Sequence, residues 1–434
     1  MPVTDAAPIV TRRIGIPRSW ALGTYLEHGG YDGLRKALTM KPEELTEQVL
    51  TSSLLGRGGA GFEAGKKWSM LGKPRPAYVV VNGDESEPAT FKDHMLIEND
   101  PHQIIEGTLI CAYAVGAAQA FIYVRGEFAL GLERMTAALN EAYQYGAVGP
   151  DIFGSGFSID VVVHPGAGAY MCGEETALIE SLEGKRGFPR IKPPFFPAAI
   201  GLYGKPTIVN NVETVSNLPW IVLNTGAAFA ALGEGRSAGT RIFSLSGHVN
   251  RPGNYEVEMH KVSFRDLMED PRLGGGIRNG NELKAFIPGG ASSPWFGPDQ
   301  VDLPLDQDAV GKAGSMLGSG SVIAMDHTTC MVRAAWRITR FFHRESCGQC
   351  TPCREGSGWV DKIMKRIEDG AGREEDLDLL LDVCDNIAPG LSWPPQQTTI
   401  CVLGPSIPSS ITSGIRMFRD EFLTHIKEGA CPYG

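Results

Sequence analysis

Apolar runs and helical periodicity alternate through the middle of the chain. Short runs rich in apolar and β-branched residues at positions 77–81, 120–125 and 159–164 predict strands. Between them, apolar residues recur at helical spacing over positions 103–115 and 129–145, which predicts helices. Strands that alternate with helices of this length build a parallel sheet with helical crossovers. The pattern therefore predicts an α/β fold for this part of the chain.

The uncharged stretch at positions 107–124 approaches the length of a membrane-spanning helix. Gly116 interrupts this stretch, and Arg125 follows it directly. We interpret it as a buried helix that ends at Gly116 and is followed by one of the predicted strands. The sequence therefore predicts no direct insertion into a membrane.

The chain divides into four regions on the basis of these patterns. Positions 1–45 are weakly periodic and predict an N-terminal lead-in before an α/β domain at positions 46–235. A composition shift at positions 232–239 predicts a linker. Short strand patterns and glycine turns then predict a small β-rich domain at positions 236–325, and positions 326–434 are predominantly helical.

Capping residues predict where two helices begin. Pro42, followed by two glutamates, predicts a helix start, and this helix is expected to run to about position 55. Asp326 or Thr328 is expected to cap a long amphipathic helix that runs toward Phe342.

Composition and charge narrow the class of protein. The 434 residues are 42% hydrophobic and 21% charged, which is typical of a soluble globular protein. The formal net charge of −10 argues against nucleic acid as a partner. Nine cysteines without a signal-peptide pattern favour a reducing compartment over a disulfide-bonded exported protein. We therefore expect a cytoplasmic protein.

Cys347, Cys350 and Cys353 follow one another at spacing three, in a turn that contains Gly348 and Pro352. Such a loop can direct three thiolates at three corners of an iron–sulfur cluster. Zinc sites usually use two separated pairs of cysteines, and free thiols or a disulfide are the remaining alternative. We favour an iron–sulfur cluster.

A [4Fe–4S] cluster requires a fourth ligand, and three later cysteines are candidates. Cys384 lies on the expected core face of a helix, where cysteine often acts as a buried apolar residue. Cys431 is close to the C-terminus, where chains are often poorly ordered. Cys401 lies in a short apolar run closed by glycine and proline. We favour Cys401, with the other two as alternatives.

The segment GRGGAGF at positions 56–62 matches GxGxxG, but the residues before it predict a helix rather than the strand of an ordinary dinucleotide-binding fingerprint. Backbone approaches a ligand closely where Cβ atoms are absent, and Arg57, Lys66 and Lys67 add positive charge. We interpret the segment as a phosphate cradle. A purely structural turn is the alternative.

Two further loops combine turn residues with carboxylates. NGDESEP at positions 82–88 follows a predicted strand, and the carboxyl ends of parallel strands are where α/β sheets bind ligands. A solvated acidic loop or a divalent-metal site is the alternative. GAGAYMCGEET at positions 166–176 leads into a helix N-terminus, which favours anions. Glu174 and Glu175 would suit the helix dipole even without a ligand.

Taken in order, these loops and the segment ESCGQCTPCREG at positions 345–356 resemble the family of NADH-binding flavoprotein subunits of respiratory complex I, the F subunits of bacterial NADH–quinone oxidoreductases. The resemblance covers nearly the whole chain. It implies a Rossmann-like FMN-binding domain, a β-grasp (ubiquitin-like) domain and a C-terminal helical bundle that carries one [4Fe–4S] cluster. It also implies that hydride passes from NADH to FMN and that electrons then pass singly to the cluster, without a catalytic acid or base from the protein.

The resemblance also implies which residues contact the cofactors. FMN would lie between the loops at positions 56–62 and 82–85, and NADH would stack over it with Phe62 and Phe195 against the adenine. The implied FMN and NADH contacts are Gly56, Arg57, Gly58, Gly59, Ala60, Gly61, Phe62, Lys67, Asn82, Asp84, Glu85, Glu87, Tyr170, Gly173, Glu174, Glu175, Lys192, Phe195, Asn210, Asn211 and Thr214. The implied cluster ligands are Cys347, Cys350, Cys353 and Cys401.

The resemblance implies partners that carry electrons on to quinone. These are a thioredoxin-like [2Fe–2S] subunit and a large multi-cluster iron–sulfur subunit, in a complex on the cytoplasmic side of the inner (plasma) membrane. The alternative is the diaphorase subunit of a soluble NAD-linked hydrogenase or formate dehydrogenase. Many of those carry additional ferredoxin-like modules, so the lack of a second CxxCxxC run favours complex I. A non-enzymatic scaffold with structural zinc at the cysteines is the alternative from another class.

Overall fold

The computed structural model describes residues 7–390, 394 and 396–433. Internal contacts divide the chain into two units. The first comprises Met1–Ser86, Thr90–Phe243 and Glu256–Lys261, and the second comprises Glu87–Ala89, Ser244–Tyr255 and Val262–Gly434. Neither unit is one continuous segment, because the chain passes from one to the other several times.

The first unit contains a four-stranded parallel sheet. Its strands are β1 (Tyr78–Gly83), β2 (Gln119–Val124), β3 (Asp160–Pro165) and β4 (Thr207–Asn211), in the order β3-β2-β1-β4. In the register of the central strand, Asn82 lies opposite Tyr123 on one side and Asn211 on the other. Because the strands run parallel, their carboxyl ends share one edge of the sheet.

Helices and short 3₁₀ turns connect these strands. The helices are α1 (Leu22–Glu27), α2 (Asp32–Ala37), α3 (Pro42–Thr51), α4 (Ala64–Ser69), α5 (Lys92–Asn99), α6 (Pro101–Val115), α7 (Ala129–Tyr145), α8 (Glu175–Leu182), α9 (Pro197–Ile200), α10 (Val212–Ser216), α11 (Leu218–Asn224) and α12 (Gly226–Ala230). The 3₁₀ turns are Ile152–Gly154, Tyr170–Gly173 and Leu202–Gly204. In α6 every residue except Tyr113 is buried. Gly107 permits close packing there, because a Cβ would lie 2.0 Å from the Val215 carbonyl oxygen.

A second sheet has the order β6-β5-β8-β7. Its strands are β5 (Thr240–Gly247), β6 (Gly253–Glu258), β7 (Leu283–Ile287) and β8 (Ser321–Asp326). β5 and β8 are parallel, whereas β7 and β8 are antiparallel. The unit boundary falls within β5 and β6.

Outside this sheet, the second unit consists mainly of helices, and the longest of them lie in its C-terminal part. Its helices are α13 (Phe264–Glu269), α14 (Gln307–Lys312), α15 (Met331–Glu345), α16 (Thr351–Glu368), α17 (Glu375–Ile387) and α18 (Leu403–Glu428), with 3₁₀ turns at Arg278–Gly280 and Pro298–Gln300. α15, α16, α17 and α18 each bury an apolar stripe, as amphipathic helices of one bundle do.

Glu256 connects the start of the chain to a segment far along it within the first unit. Its carboxylate accepts hydrogen bonds from the backbone N–H groups of Ile9 (2.9 Å), Val10 (3.1 Å) and Thr11 (2.8 Å). The Thr240 hydroxyl donates to the same carboxylate at 2.6 Å. One side chain therefore satisfies three consecutive peptide groups that would otherwise need water.

Several predicted elements are confirmed. The helix expected at positions 129–145 is α7, and the strands expected at positions 120–125 and 159–164 are β2 and β3, each displaced by one residue. Gly116 ends α6 with φ +62°. Within the part of the chain that the structure describes, no helix combines the length and the apolar character needed to cross a bilayer.

Two predicted helix boundaries are wrong. α3 ends at Thr51 rather than near position 55, since Ser53 adopts φ +51°, which a right-handed helix cannot continue. The residue that caps α15 is Cys330, not Asp326 or Thr328. The Asp326 carboxylate instead accepts from the backbone N–H of Thr328 at 3.0 Å, in the turn before the helix.

Candidate functional site

The carboxyl ends of β1 and β4 bring predicted residues together. The Asn82 side-chain amide donates to the Gly173 carbonyl at 2.8 Å, and its Oδ1 accepts from the Asp84 backbone N–H at 3.0 Å. The Asn211 amide donates to Asp93 Oδ2 at 2.6 Å. The edge of the sheet thus presents two amide side chains whose orientations are fixed by hydrogen bonds.

The loop at residues 56–62 lies between α3 and α4, and a 2.8 Å hydrogen bond joins the backbone of its first and last residues. Gly59 has φ +126° and Gly61 has φ +61°, conformations that favour glycine. Gly58 is exposed, and a Cβ there would lie 3.2 Å from Asn211 Cβ. The backbone of Gly58, which carries no side chain, therefore packs against the end of β4.

Arg57 contributes its backbone to this loop, while its side chain is buried elsewhere. The guanidinium donates to the carbonyls of Ala238 (3.1 Å) and Thr240 (2.9 Å), and the Arg57 N–H donates to the Thr214 hydroxyl (2.9 Å). Burial, and then the charge of Arg241, lower the pKa of Arg57 to about 10, so it stays charged at neutral pH. Its charge is directed at carbonyl groups inside the first unit, not at the cradle that the sequence suggested.

Two lysines lie close to the start of α8. Lys192 Nζ lies 2.7 Å from Glu174 Oε1 and 3.1 Å from Glu175 Oε1. Lys67 Nζ lies 3.7 Å from Glu175 Oε2 and donates to the Val209 carbonyl in β4 at 3.0 Å. Burial opposes the charge of Lys192, but the two carboxylates outweigh it and raise its pKa. Glu174 also caps α8 by accepting two backbone hydrogen bonds, which agrees with the helix-dipole alternative.

Two predicted carboxylates accept hydrogen bonds from other parts of the chain. Glu85 is buried and accepts from the backbone N–H groups of Asp93 (2.8 Å) and His94 (2.9 Å) at the start of α5. Burial, and then the Asp93 charge, raise the pKa of Glu85 to about 7. Glu87 belongs to the second unit, where it accepts from the backbone N–H (2.8 Å) and hydroxyl (2.7 Å) of Ser292.

The other predicted contact residues differ in exposure. Asn210 is buried, and its amide lies 3.4 Å from Cys111 Sγ. Phe62 and Phe195 are exposed aromatic residues, and Tyr170 is half-buried in its 3₁₀ turn. Exposed aromatic rings can stack on an adenine and bury apolar surface when they do so.

Asp93 is a site residue that the sequence analysis missed. Besides holding Asn211, it pairs with Lys92 (2.8 Å), which also pairs with Glu213 Oε2 (2.8 Å), and all three charged residues are buried. The local sequence around Asp93 gives no motif for this role. The signal lay in residues 207–211, because recognising them as β4 would have placed Asn211 beside β1.

The cysteine loop joins α15 to α16. Cys347 and Cys350 are half-buried, Cys353 is buried, and Gly348 between them has φ +79°. Burial and then the neighbouring Cys350 and Cys347 raise the pKa of Cys353 to about 11, although Ser346 Oγ lies 3.2 Å from its sulfur and opposes the shift. The cysteines therefore lie close enough to influence one another at the start of α16.

The candidates for a fourth ligand occupy different surroundings. Cys384 is fully buried on α17, and burial raises its pKa above the usual range of a thiol. Cys431 lies with Cys330 at the other end of α15, in a group whose potential ligand atoms are within 4.8 Å of one another. Cys401 is buried two residues before α18 begins.

These residues fit the two implied cofactors in their chemistry. Backbone without Cβ atoms at Gly58 and Gly59 and the oriented amides of Asn82 and Asn211 suit a flavin and its phosphate, as does the charge of Lys67. The three clustered thiols at the N-terminus of α16 suit an iron–sulfur cluster, because that end of a helix favours the negative charge of thiolates.

Comparisons with known proteins agree with this geometry. A family described as the Nuo51 FMN-binding domain matches residues 49–220. A second family, described as the NADH-ubiquinone oxidoreductase-F iron-sulfur binding region, matches residues 333–425.

Similar proteins match nearly the whole chain. The F subunit of the NADH-quinone oxidoreductase of Mycobacterium tuberculosis is 48% identical over 99% of this chain and 96% of its own. The F 2 subunit of the Rhizobium meliloti NADH-quinone oxidoreductase is 47% identical over 98% of this chain and 99% of its own. A chain in the crystal structure of an NAD⁺-reducing [NiFe]-hydrogenase in the H₂-reduced state superimposes with a TM-score of 0.82 and 31% identity, over 98% of this chain and 67% of that one. The chain belongs to the family of NADH-quinone oxidoreductase F subunits.

Proposed function

We infer that the chain is the NADH-oxidising flavoprotein subunit of an NADH-quinone oxidoreductase, which transfers hydride from NADH to FMN and passes electrons on through a [4Fe–4S] cluster. The observation that carries this inference is the glycine-rich loop at residues 56–62, whose Gly58 backbone packs beside Asn211 at the edge of the sheet. The same chain holds the thiols of Cys347, Cys350 and Cys353. When bound, FMN and the cluster supply the two-electron and one-electron chemistry, while the protein supplies position and electrostatics.

We propose separate roles for the residues at the carboxyl edge of the sheet. The backbone N–H groups of residues 56–62 and the Lys67 ammonium hold the flavin phosphate. Asn82 and Asn211 hydrogen-bond the flavin ring, and their own hydrogen bonds to Gly173 and Asp93 support this role by fixing their orientation. Such pre-ordered polar groups lose little entropy when the flavin binds.

We propose that a second group of residues, which includes two exposed aromatic rings, contacts NADH. Phe62 and Phe195 stack on the adenine, and their exposure supports this. Tyr170, Glu175 and Lys192 bind the ribose and pyrophosphate region, where the Lys192 charge balances two carboxylates. We assign no acid or base of this chain to the reaction, because a bound nicotinamide and flavin would themselves supply the hydride chemistry.

We propose Cys347, Cys350, Cys353 and Cys401 as the cluster ligands. The core position of Cys384 and the pairing of Cys431 with Cys330 support Cys401 as the fourth. The N-terminus of α16 favours the anionic ligand set through its backbone N–H groups.

We propose that residues 236–325 form a β-grasp domain and that residues 326–434 form the helical cluster domain, after a lead-in at 1–45 and the flavin domain at 46–235. The mixed sheet order β6-β5-β8-β7, with β5 parallel to β8 and α13 between β6 and β7, supports the first assignment. The apolar stripes of α15, α16, α17 and α18 support the second.

The chain works in a multi-subunit complex, as its relatives do. We propose the thioredoxin-like [2Fe–2S] subunit and the large multi-cluster iron–sulfur subunit as its direct partners, on the cytoplasmic side of the membrane that holds the quinone. The second candidate is the diaphorase subunit of a soluble hydrogenase, which the superposition on the NAD⁺-reducing [NiFe]-hydrogenase favours.

Purification of the tagged full chain from its host tests the function and the partner together. We expect a yellow-brown protein with about one FMN and four iron atoms per chain, NADH–ferricyanide activity, and co-purification of quinone-linked membrane subunits. Hydrogenase or formate dehydrogenase subunits in their place would support the second candidate. A colourless protein without flavin would overturn the enzymatic role itself.

A further inference from the structure

Four potential metal ligands meet in the second unit, apart from the cysteine loop. Cys330 precedes α15, Glu368 ends α16, His425 lies near the end of α18, and Cys431 follows that helix. Cys330 Sγ lies 3.3 Å from His425 Nε2 and 3.9 Å from Glu368 Oε2. His425 Nε2 lies 3.7 Å from Glu368 Oε2, and one ligand atom from each of the four lies within 4.8 Å of the others.

The two distances from His425 Nε2, 3.3 Å and 3.7 Å, match the edges of a small coordination tetrahedron. With bonds of about 2.0–2.3 Å to the metal, the ligand atoms of tetrahedral zinc are separated by roughly 3.3–3.8 Å. Two thiols and an imidazole are ligands that zinc favours, whereas magnesium and calcium favour oxygen atoms throughout. We propose that Cys330, Glu368, His425 and Cys431 bind a zinc ion, with four protein ligands as in a structural site.

The surrounding hydrogen bonds orient the ligand atoms toward one point. His425 Nδ1 lies 2.9 Å from the Glu421 carbonyl, so Nδ1 carries the proton and donates it there, and Nε2 offers its lone pair to the metal. Arg333 Nε donates to Glu368 Oε1 at 2.5 Å, which turns Oε2 toward Cys330. The Arg333 backbone N–H donates to Cys330 Sγ at 3.2 Å, so the sulfur is held in place at the start of α15.

Charge and burial are consistent with a bound cation. When a zinc ion is bound, two thiolates and one carboxylate carry three negative charges, and the ion neutralises two of them. The Arg333 guanidinium, which donates to Glu368, offsets the remaining charge. His425 is completely buried, and Cys330 and Glu368 are 6% and 9% exposed. Uncompensated negative charges at such depth would be costly. A cleft lined by Thr329, Cys330 and Arg333, among others, opens beside the thiol and gives an ion access.

This site is distinct from the iron–sulfur site. The 15 residues of α15 separate Cys330 from the cysteine loop, which corresponds to about 22 Å along the helix. Cys431 therefore cannot serve both metals. The zinc ligands come from the ends of α15, α16 and α18, so the ion would join three helices and the C-terminal segment at one end of the bundle. We expect the zinc ion to stabilise the fold rather than to transfer electrons, because Zn²⁺ does not change its oxidation state in proteins.

Metal analysis of the full chain, carrying its flavin and cluster and supplied with zinc during expression, tests the proposal. We expect one zinc per chain in addition to the cluster iron. X-ray absorption at the zinc edge should show sulfur at about 2.3 Å and nitrogen or oxygen at about 2.0–2.1 Å. Cys431→Ser should lose most of the zinc, keep its iron and flavin, and unfold at a lower temperature. Cys384→Ala is the matched control, because it removes another buried thiol and should keep both metals.

Three outcomes would overturn the proposal. The first is wild-type protein that holds no zinc after dialysis, with Cys330 and Cys431 found by mass spectrometry as free thiols or as a disulfide. The second is a loss of iron in Cys431→Ser, which would assign this cysteine to the cluster. The third is zinc that persists in Cys431→Ser and in His425→Gln, which would place the ion elsewhere.

Discussion

Glu85, which the resemblance implies as a cofactor contact, is buried against the start of α5. Both its oxygens accept backbone hydrogen bonds at the start of α5, yet burial and the adjacent Asp93 raise its pKa to about 7. In the unfolded chain the same carboxyl group has a pKa of about 4.5. Between these values the folded state binds more protons than the unfolded state. The free energy of unfolding therefore falls as pH rises through this window.

Substitution of Glu85 by glutamine tests this linkage. The amide stays neutral, so the variant should gain stability relative to the wild type as pH rises from 5 to 7, by up to about 1.4 kcal/mol per pH unit. Above pH 7 the difference should become constant. Denaturant unfolding at several pH values measures it, and Glu47→Gln on the exposed face of α3 serves as the control. A difference that does not vary with pH would mean that Glu85 is ionised throughout.

The choice of the fourth cluster ligand is a second prediction about single residues. Cys401→Ser should lower the iron content and remove the EPR signal of the reduced cluster, since serine oxygen is a poor ligand for the cluster iron. Cys384→Ser should leave both unchanged, although its buried hydroxyl should reduce stability by about 1–3 kcal/mol. Loss of iron in Cys384→Ser with full iron in Cys401→Ser would reverse the assignment.

Residue types were predictable from the sequence, but side-chain directions were not. The sequence identified Arg57 and Glu85 as groups able to contact a cofactor, and both occur in the correct loops. Their partners, Ala238 and Thr240 for Arg57 and the start of α5 for Glu85, are set by the tertiary fold. Hydrogen-bond partners 181 and 183 residues away leave no local signal around Arg57.

At the scale of the element, the glycine loop between α3 and α4 depends on backbone conformation. Gly59→Val should retain the fold but bind little FMN, because valine strongly disfavours φ +126° and its side chain would occupy the cradle. Flavin released by acid denaturation measures the stoichiometry. Gly146→Val is the matched control, since Gly146 has φ +78° at the end of α7 and open space around its Cβ position. Normal flavin content in Gly59→Val would remove the loop from the flavin site.

Elements were predictable where a local pattern was strong. α7 has an amphipathic pattern over its whole length and ends at a glycine, so both its ends followed from the sequence. β4, at residues 207–211, is short and runs directly into α10, and the sequence analysis predicted no strand there. α5 has a weak apolar stripe, and Glu85, seven residues before the helix, caps its first N–H groups in place of a local capping residue. Both elements owe their form to packing rather than to local propensity.

At the scale of the molecule, the α/β class and the two cofactor regions could be predicted because several separate motifs agreed in order. The division into units could not, since the chain passes between them at Ser86–Glu87, Ala89–Thr90, Phe243–Ser244, Tyr255–Glu256 and Lys261–Val262. A composition shift detects a linker between continuous domains, but it does not detect a boundary that falls within strands such as β5 and β6.

The Glu256 carboxylate also affects the order in which the protein can fold during synthesis. Its hydrogen bonds to the backbone of residues 9–11 span up to 247 positions in sequence. A nascent chain carries this N-terminal segment without its native partner until more than half of the 434 residues have been translated. The backbone N–H groups of residues 9–11 therefore reach their carboxylate partner only late in synthesis, and until then water or a chaperone must satisfy them.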